Sequence, residues 1–100
     1  MIATTVKVAR VTADGNAVLT GVKHIHGIVG ITNTLTSAAS VKIHDALTVT
    51  GNPILEAHAN TADATNYEGM FGVMLPYPLR TKTGVSIDVT NVSAAYVYWS

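Results

Sequence analysis

Residues 85–91 read VSIDVTN, with Val85, Ile87 and Val89 alternating with Ser86, Asp88 and Thr90. A period of two sends successive side chains to opposite faces, so this stretch is a strand with one apolar and one polar side. Thr83-Gly84 supplies the turn that leads into it. The chain then ends on AAYVYWS, where Ala95, Val97 and Trp99 face one way and Tyr96 and Tyr98 the other. Each such aromatic ring can bury some 150–250 Å² while bringing a hydroxyl or indole donor to a wet boundary. Aromatics on both faces of one strand imply a sandwich core on one side and a second contact surface on the other, or packing of both faces within one monomer.

The same pattern extends upstream. In TTVKVARVT, residues 4–12, Val6 and Val8 share a face with Lys7 between them. Asp14-Gly15 tolerates the backbone angles of a tight turn, so AVLTGVK at 17–23 is expected to return antiparallel to the first strand as an N-terminal hairpin over residues 4–23. The run IHGIVGIT at 25–32 carries Gly27 and Gly30 inside it, and glycines within a strand mark a bulge, a bend or a close backbone approach. A polar loop, NTLTSAAS at 33–40, precedes VKIHD at 41–45, where Val41 and Ile43 oppose Lys42 and His44. Gly51-Asn52-Pro53 is turn chemistry. ILEAHA at 54–59 forms a short strand, and NTADATNYEG at 60–69 forms a loop. MFGVML at 70–75, apolar throughout, is expected to be fully buried, and the two prolines of the following PYPLR fit only an edge or an irregular crossing.

Helix signals are nearly absent. The one compatible window, LEAHANTADA at 55–64, keeps no apolar spacing of three and four. About eight short strands with turn signals every 8–12 residues predict an all-β single domain over residues 1–100: a β-sandwich or small barrel of antiparallel strands.

Composition narrows the function. Of the 100 residues, 48% are hydrophobic and 12% charged, about half the charged share of ~25% usual in globular domains. Such a surface suits contact with other protein. Six basic and six acidic side chains cancel, and Lys7, Arg10, Lys23, Lys42, Arg80 and Lys82 form no run, so neither nucleic acid nor an anionic membrane is an expected partner. The absence of cysteine removes disulfides and Cys-based zinc sites. MIATTVKVARV lacks the pattern of a secretory signal and no run of 18 apolar residues occurs, so a soluble chain made in the cytosol is expected, unless it leaves by assembly into something larger.

KHIHG, residues 23–27, raises the question of a metal. His24 and His26 lie on one face of an extended strand, with Cα atoms roughly 6.5–7 Å apart, close enough to converge on one ion. Cupins use such a pair with a glutamate a few residues downstream. Here the positions four and five after His26 are Gly30 and Ile31, the only glutamates are Glu56 and Glu68, and nothing in the spacing brings His44 or His58 near. The two histidines are therefore expected to be strand residues, at most at a subunit contact, and no metal or cofactor is expected. No G-x-S-x-G elbow, carboxylate pair or phosphate loop occurs, and Asp14, Asp45, Glu56, Asp63, Glu68 and Asp88 are spread singly. An enzyme is not expected.

The series HGIVGITNTL, SVKIHDALTVTGNPIL and LPYPLRTKTGVSIDVTNVSAAYVYWS resembles a class of small all-β tailed-phage virion proteins. In those, a strand of the form x-V-x-I-x-D precedes a small-residue loop, and a proline-bearing segment leads to a G-[IV]-x-[IV]-x-[IV] strand and a final aromatic strand. The match covers about residues 22–100. It implies a jelly-roll-like sandwich on the virion, a homotrimeric capsid cement or decoration protein that binds the major capsid protein at the capsid surface after synthesis in the host cytoplasm. Head-fibre bases and tail modules share the look. The resemblance carries over no catalytic residue, and it makes the less well matched N-terminal hairpin an expected docking element. The expected subunit-interface residues are His24, His26, Tyr96, Tyr98 and Trp99. The alternative is a carbohydrate- or receptor-binding module of a head fibre or tail, in which Tyr67, Tyr77 or other exposed tyrosines stack on sugar rings.

Overall fold

Each alternating run becomes a strand because pairing with a neighbour satisfies its backbone while its apolar side is buried. The computed structural model describes residues 5–33, 37–59 and 69–100. Among these the regular structure is entirely strand: β1 (Lys7–Val11), β2 (Gly15–Thr20), β3 (His24–Thr32), β4 (Ala39–His44), β5 (Leu55–Ala59), β6 (Met70–Arg80), β7 (Gly84–Thr90) and β8 (Val92–Trp99). They form two four-stranded antiparallel sheets, a front sheet ordered β1-β8-β3-β6 and a back sheet ordered β2-β7-β4-β5.

The all-β sandwich read from the sequence is the observed fold. Its pairings describe one long ribbon, β1 against β8, β2 against β7, β3 against β6 and β4 against β5, bent so that successive pairs alternate between the sheets. Ladders β3–β8 and β4–β7 then join the pairs within each sheet. The two strands richest in Ile and Val, β3 and β7, take central places. Ile25, Ile28 and Val97 from the front meet Val41, Ile43, Val85 and Ile87 from the back, all fully buried in one continuous core.

Two expectations need correction. The N-terminal hairpin over 4–23 does not form: β1 pairs with β8 through five residues, Lys7↔Trp99 to Val11↔Ala95, whereas β2 pairs with β7 in the other sheet. An isolated two-stranded hairpin buries little. Separating the two strands lets Ala9 and Val11 pack on the core from one sheet, and Val18 and Leu19 from the other. Asp14-Gly15 is still a corner, but it carries the chain between layers, and the Asp14 carboxylate accepts the Val89 N–H at 2.8 Å to fix it on the back sheet. Residue 4 lies outside the described residues.

The second correction concerns MFGVML. It is not fully buried: Phe71 and Val73 pack on the core while Met70 and Met74 are each 58% exposed. The strand lies at the edge of the front sheet, as its prolines demand, and its opposite face meets no other layer. Between Ile25↔Leu79 and Gly27↔Met74 the register shifts, so Leu75–Pro78 bulge from the edge and leave Tyr77 82% exposed.

The glycines of β3 mark close approaches. A Cβ built on buried Gly30 would stand 2.5 Å from Phe71 Cζ and 2.9 Å from Val41 Cγ2, inside the layer where the sheets meet. Gly30→Ala is therefore expected to cost about 1–2 kcal/mol, because Phe71 must swing away from a packed site. A thermal melt checks this, and an unchanged midpoint would show that the gap between the sheets is looser than described.

Candidate functional site

The two outer faces of the sandwich differ in chemistry. On the back sheet, Ser40, Lys42 and His44 of β4 stand beside Ser86, Asp88 and Thr90 of β7, and Glu56 and His58 of β5 lie on the far side. Lys42 faces Glu56 and Asp88 across the ladders, with its Nζ 3.9 Å from Glu56 Oε1, and His58 Nε2 donates to the same oxygen at 3.1 Å. Charges of both signs meet there.

The loop after β4 closes over part of that face. Ser86 Oγ donates to the Ala46 carbonyl at 2.8 Å and accepts the Ala17 N–H at 3.0 Å, which explains how a serine on the polar side of VSIDVTN is fully buried. His44 Nδ1 donates to the Thr50 carbonyl at 3.0 Å, so this histidine, read as a polar-face residue, is 5% exposed beneath the loop. The loop is anchored in turn by Asp45, whose carboxylate accepts the N–H groups of Lys82, Thr83 and Gly84. Burial pushes the Asp45 carboxyl up, but those three donors and the Lys82 charge outweigh it and hold the group below its ordinary value.

On the front sheet the register sets out four rows facing away from the core. His24 lies beside Arg80 and Ser100. Gly27 lies between Tyr98 and Met74, with Val8 beyond Tyr98. Val29 lies between Tyr96 and Gly72, with Arg10 beyond Tyr96, and Ile31 lies between Ala94 and Met70. Val8 is 52% exposed, and alternation along the chain puts half-exposed Val6 on the same side. Of the eight large hydrophobic residues exposed among the described ones, Val6, Val8, Met70, Met74 and Tyr77 belong to this face or its β6 edge. An open layer of this kind is the feature soluble surfaces normally avoid unless something covers it.

The five residues expected at a subunit contact are not equivalent. Tyr96 and Tyr98 lie half-buried on the front face, where Arg10 Nε donates to Tyr96 Oη at 3.3 Å, and His24 is exposed in the row above. His26 occupies the register shift between Ile25 and Gly27 and shares a 2.8 Å hydrogen bond with Ser100 Oγ. Trp99 turns inward against the core, with Lys7 Nζ 4.9 Å and Lys23 Nζ 5.1 Å from the centre of its ring. The two ammonium groups thus cap the indole by cation–π attraction. Tyr67 lies outside the described residues. Among the described residues no three His, Cys, Asp or Glu side chains form a group that could hold a metal ion.

The chain matches no family model, no curated protein and no solved structure.

Sequence reading missed Val8, Arg10, Met70 and Met74 as members of one surface. The signal was the period of two in VKVAR and MFGVM. What hid it was the assignment of β1 to a local hairpin and of β6 to the interior. Among the described residues no helix is long and apolar enough to cross a membrane.

Proposed function

We propose that the chain is a virion structural protein of a tailed phage, a homotrimeric capsid cement or decoration subunit made in the host cytoplasm and bound to the major capsid protein at the capsid surface. The observation that carries this reading is the unequal sandwich. One outer face is polar and carries charges of both signs, while the other is apolar and aromatic and wants a protein cover. The likeness of the HGIVGITNTL-to-YVYWS series to small phage virion proteins points the same way. The reading assigns the protein no catalysis and no cofactor: its work is adhesion, in which binding only the folded form also stabilises the fold by mass action.

The test has two arms. Purified protein is expected to sediment as a species of three times the 10.5 kDa chain mass, and purified virions are expected to contain the chain at fixed stoichiometry. A stable monomer that is absent from virions ends the proposal. A carbohydrate- or receptor-binding role is the second reading, favoured by Tyr77, which is 82% exposed on its proline-flanked bulge. Glycan binding that is lost in Tyr77→Ala would replace the first reading with this one.

A further inference from the structure

The charges are segregated between the layers although they cancel over the whole chain. Lys7, Arg10 and Arg80 lie on front-sheet strands and Lys23 immediately precedes β3, yet β1, β3, β6 and β8 contain neither Asp nor Glu. The described acids, Asp14, Asp45, Glu56 and Asp88, all lie on the back sheet or in the loops leading into or out of its strands. Arg10 stands on the apolar front face itself, and its side-chain bond goes to a neutral phenol. Covering this face without a counter-charge would desolvate a guanidinium and leave it unpaired, which is strongly unfavourable.

This decides between occupants. A second copy stacked front to front would bring cations against cations. A second copy stacked front to back would offer Arg10 the carboxylates of Glu56 and Asp88 but would press Met70, Met74 and Val8 onto the polar groups of Ser40, Lys42 and His58, which apolar side chains cannot satisfy. We infer that the front face is the docking surface for a different protein, one that offers an apolar centre and a carboxylate to Arg10, with further acidic groups toward the His24–Arg80 end. Within the proposed function, on which this assignment builds, that partner is the major capsid protein, and contacts among the three copies use other surfaces. Three linked copies would present three such faces and hold by avidity.

The experiment places photoreactive benzoyl-phenylalanine at Val8, at Met74 or, on the back sheet, at His58, in cells that make the chain, and sequences the linked peptides. Links from positions 8 and 74 but not 58 are expected, into another protein at a segment with Asp or Glu among apolar residues. Arg10→Glu should reduce their yield at least tenfold while Arg10→Lys keeps most of it, both variants melting like the parent. The assignment is overturned by links chiefly from position 58, by links into a second copy or the same chain, by no links at all, or by a yield that Arg10→Glu leaves unchanged. The identity of the linked protein is a separate result: a protein foreign to the capsid refutes the function proposed above while leaving the face assigned.

Discussion

Ile87→Ala is expected to lower the unfolding free energy by about 2–5 kcal/mol, against the roughly 5–15 kcal/mol that holds a typical domain together. Ile87 is fully buried at the middle of β7, opposite Ile43 on one side and Gly15 on the other, and its side chain fills the layer between the sheets. Truncation removes transfer free energy and leaves a gap that neighbours anchored in two ladders cannot close. At about 4–8 °C per kcal/mol for a domain near this size, the melting midpoint should fall on the order of 10–30 °C. Thr90→Ala, three residues along and exposed, is expected to stay within about 0.5 kcal/mol. Urea titrations of both variants check the contrast, and a larger loss from Thr90→Ala than from Ile87→Ala would mean that the inward and outward sides of β7 have been exchanged.

Asp45→Ala acts through the polar scaffold. One carboxylate organises the β6–β7 turn by accepting from Lys82, Thr83 and Gly84 at 2.9, 2.8 and 3.2 Å, and it joins that turn to the loop that covers Ser86 and His44. Hydrogen bonds to a charged group contribute about 1.5–3 kcal/mol each when buried. Here the three share the two oxygens of one carboxylate and two of them are wet, so the loss is expected to be ~2–3 kcal/mol in total. The pH dependence follows from the depressed carboxyl. Its contribution is complete above the unfolded value of ~3.9 and fades as pH falls through the lower folded value. The stability gap between the parent and Asp45→Asn should therefore be constant near neutrality and shrink in acid below about pH 4. A gap that widens in acid would show that the carboxyl is held above its ordinary value.

The strands were legible in the sequence because alternation is a local signal. VSIDVTN and VKIHD each set an apolar side against a polar one without knowledge of any partner, whereas AAYVYWS, apolar on both faces, shows the alternation alone. Layer assignment was not legible, because it depends on pairing at long range. Nothing between Thr4 and Lys23 distinguishes a hairpin from two strands that part company at Asp14, since both need the same corner. Ser86 and His44 were misjudged for a related reason: a loop laid over a polar face buries residues that a strand pattern assigns to solvent. The front face was half visible. Tyr96 and Tyr98 were singled out, but their neighbours come from β1, β3 and β6, and only the register brings Val8, Arg10, Met70 and Met74 beside them.

The nested pairing of the strands sets an order of events. β4 and β5 are partners close in the chain, whereas β1 must wait for β8. Closing distant segments costs entropy before any contact returns it, which makes such topologies slow to mature. The inner strands can therefore begin to associate on a nascent polypeptide, while the clasp between β1 and β8 shuts only after β8 has been synthesised. Until then Val8 and Arg10 are not in place beside the tyrosines, so the proposed docking face is completed last.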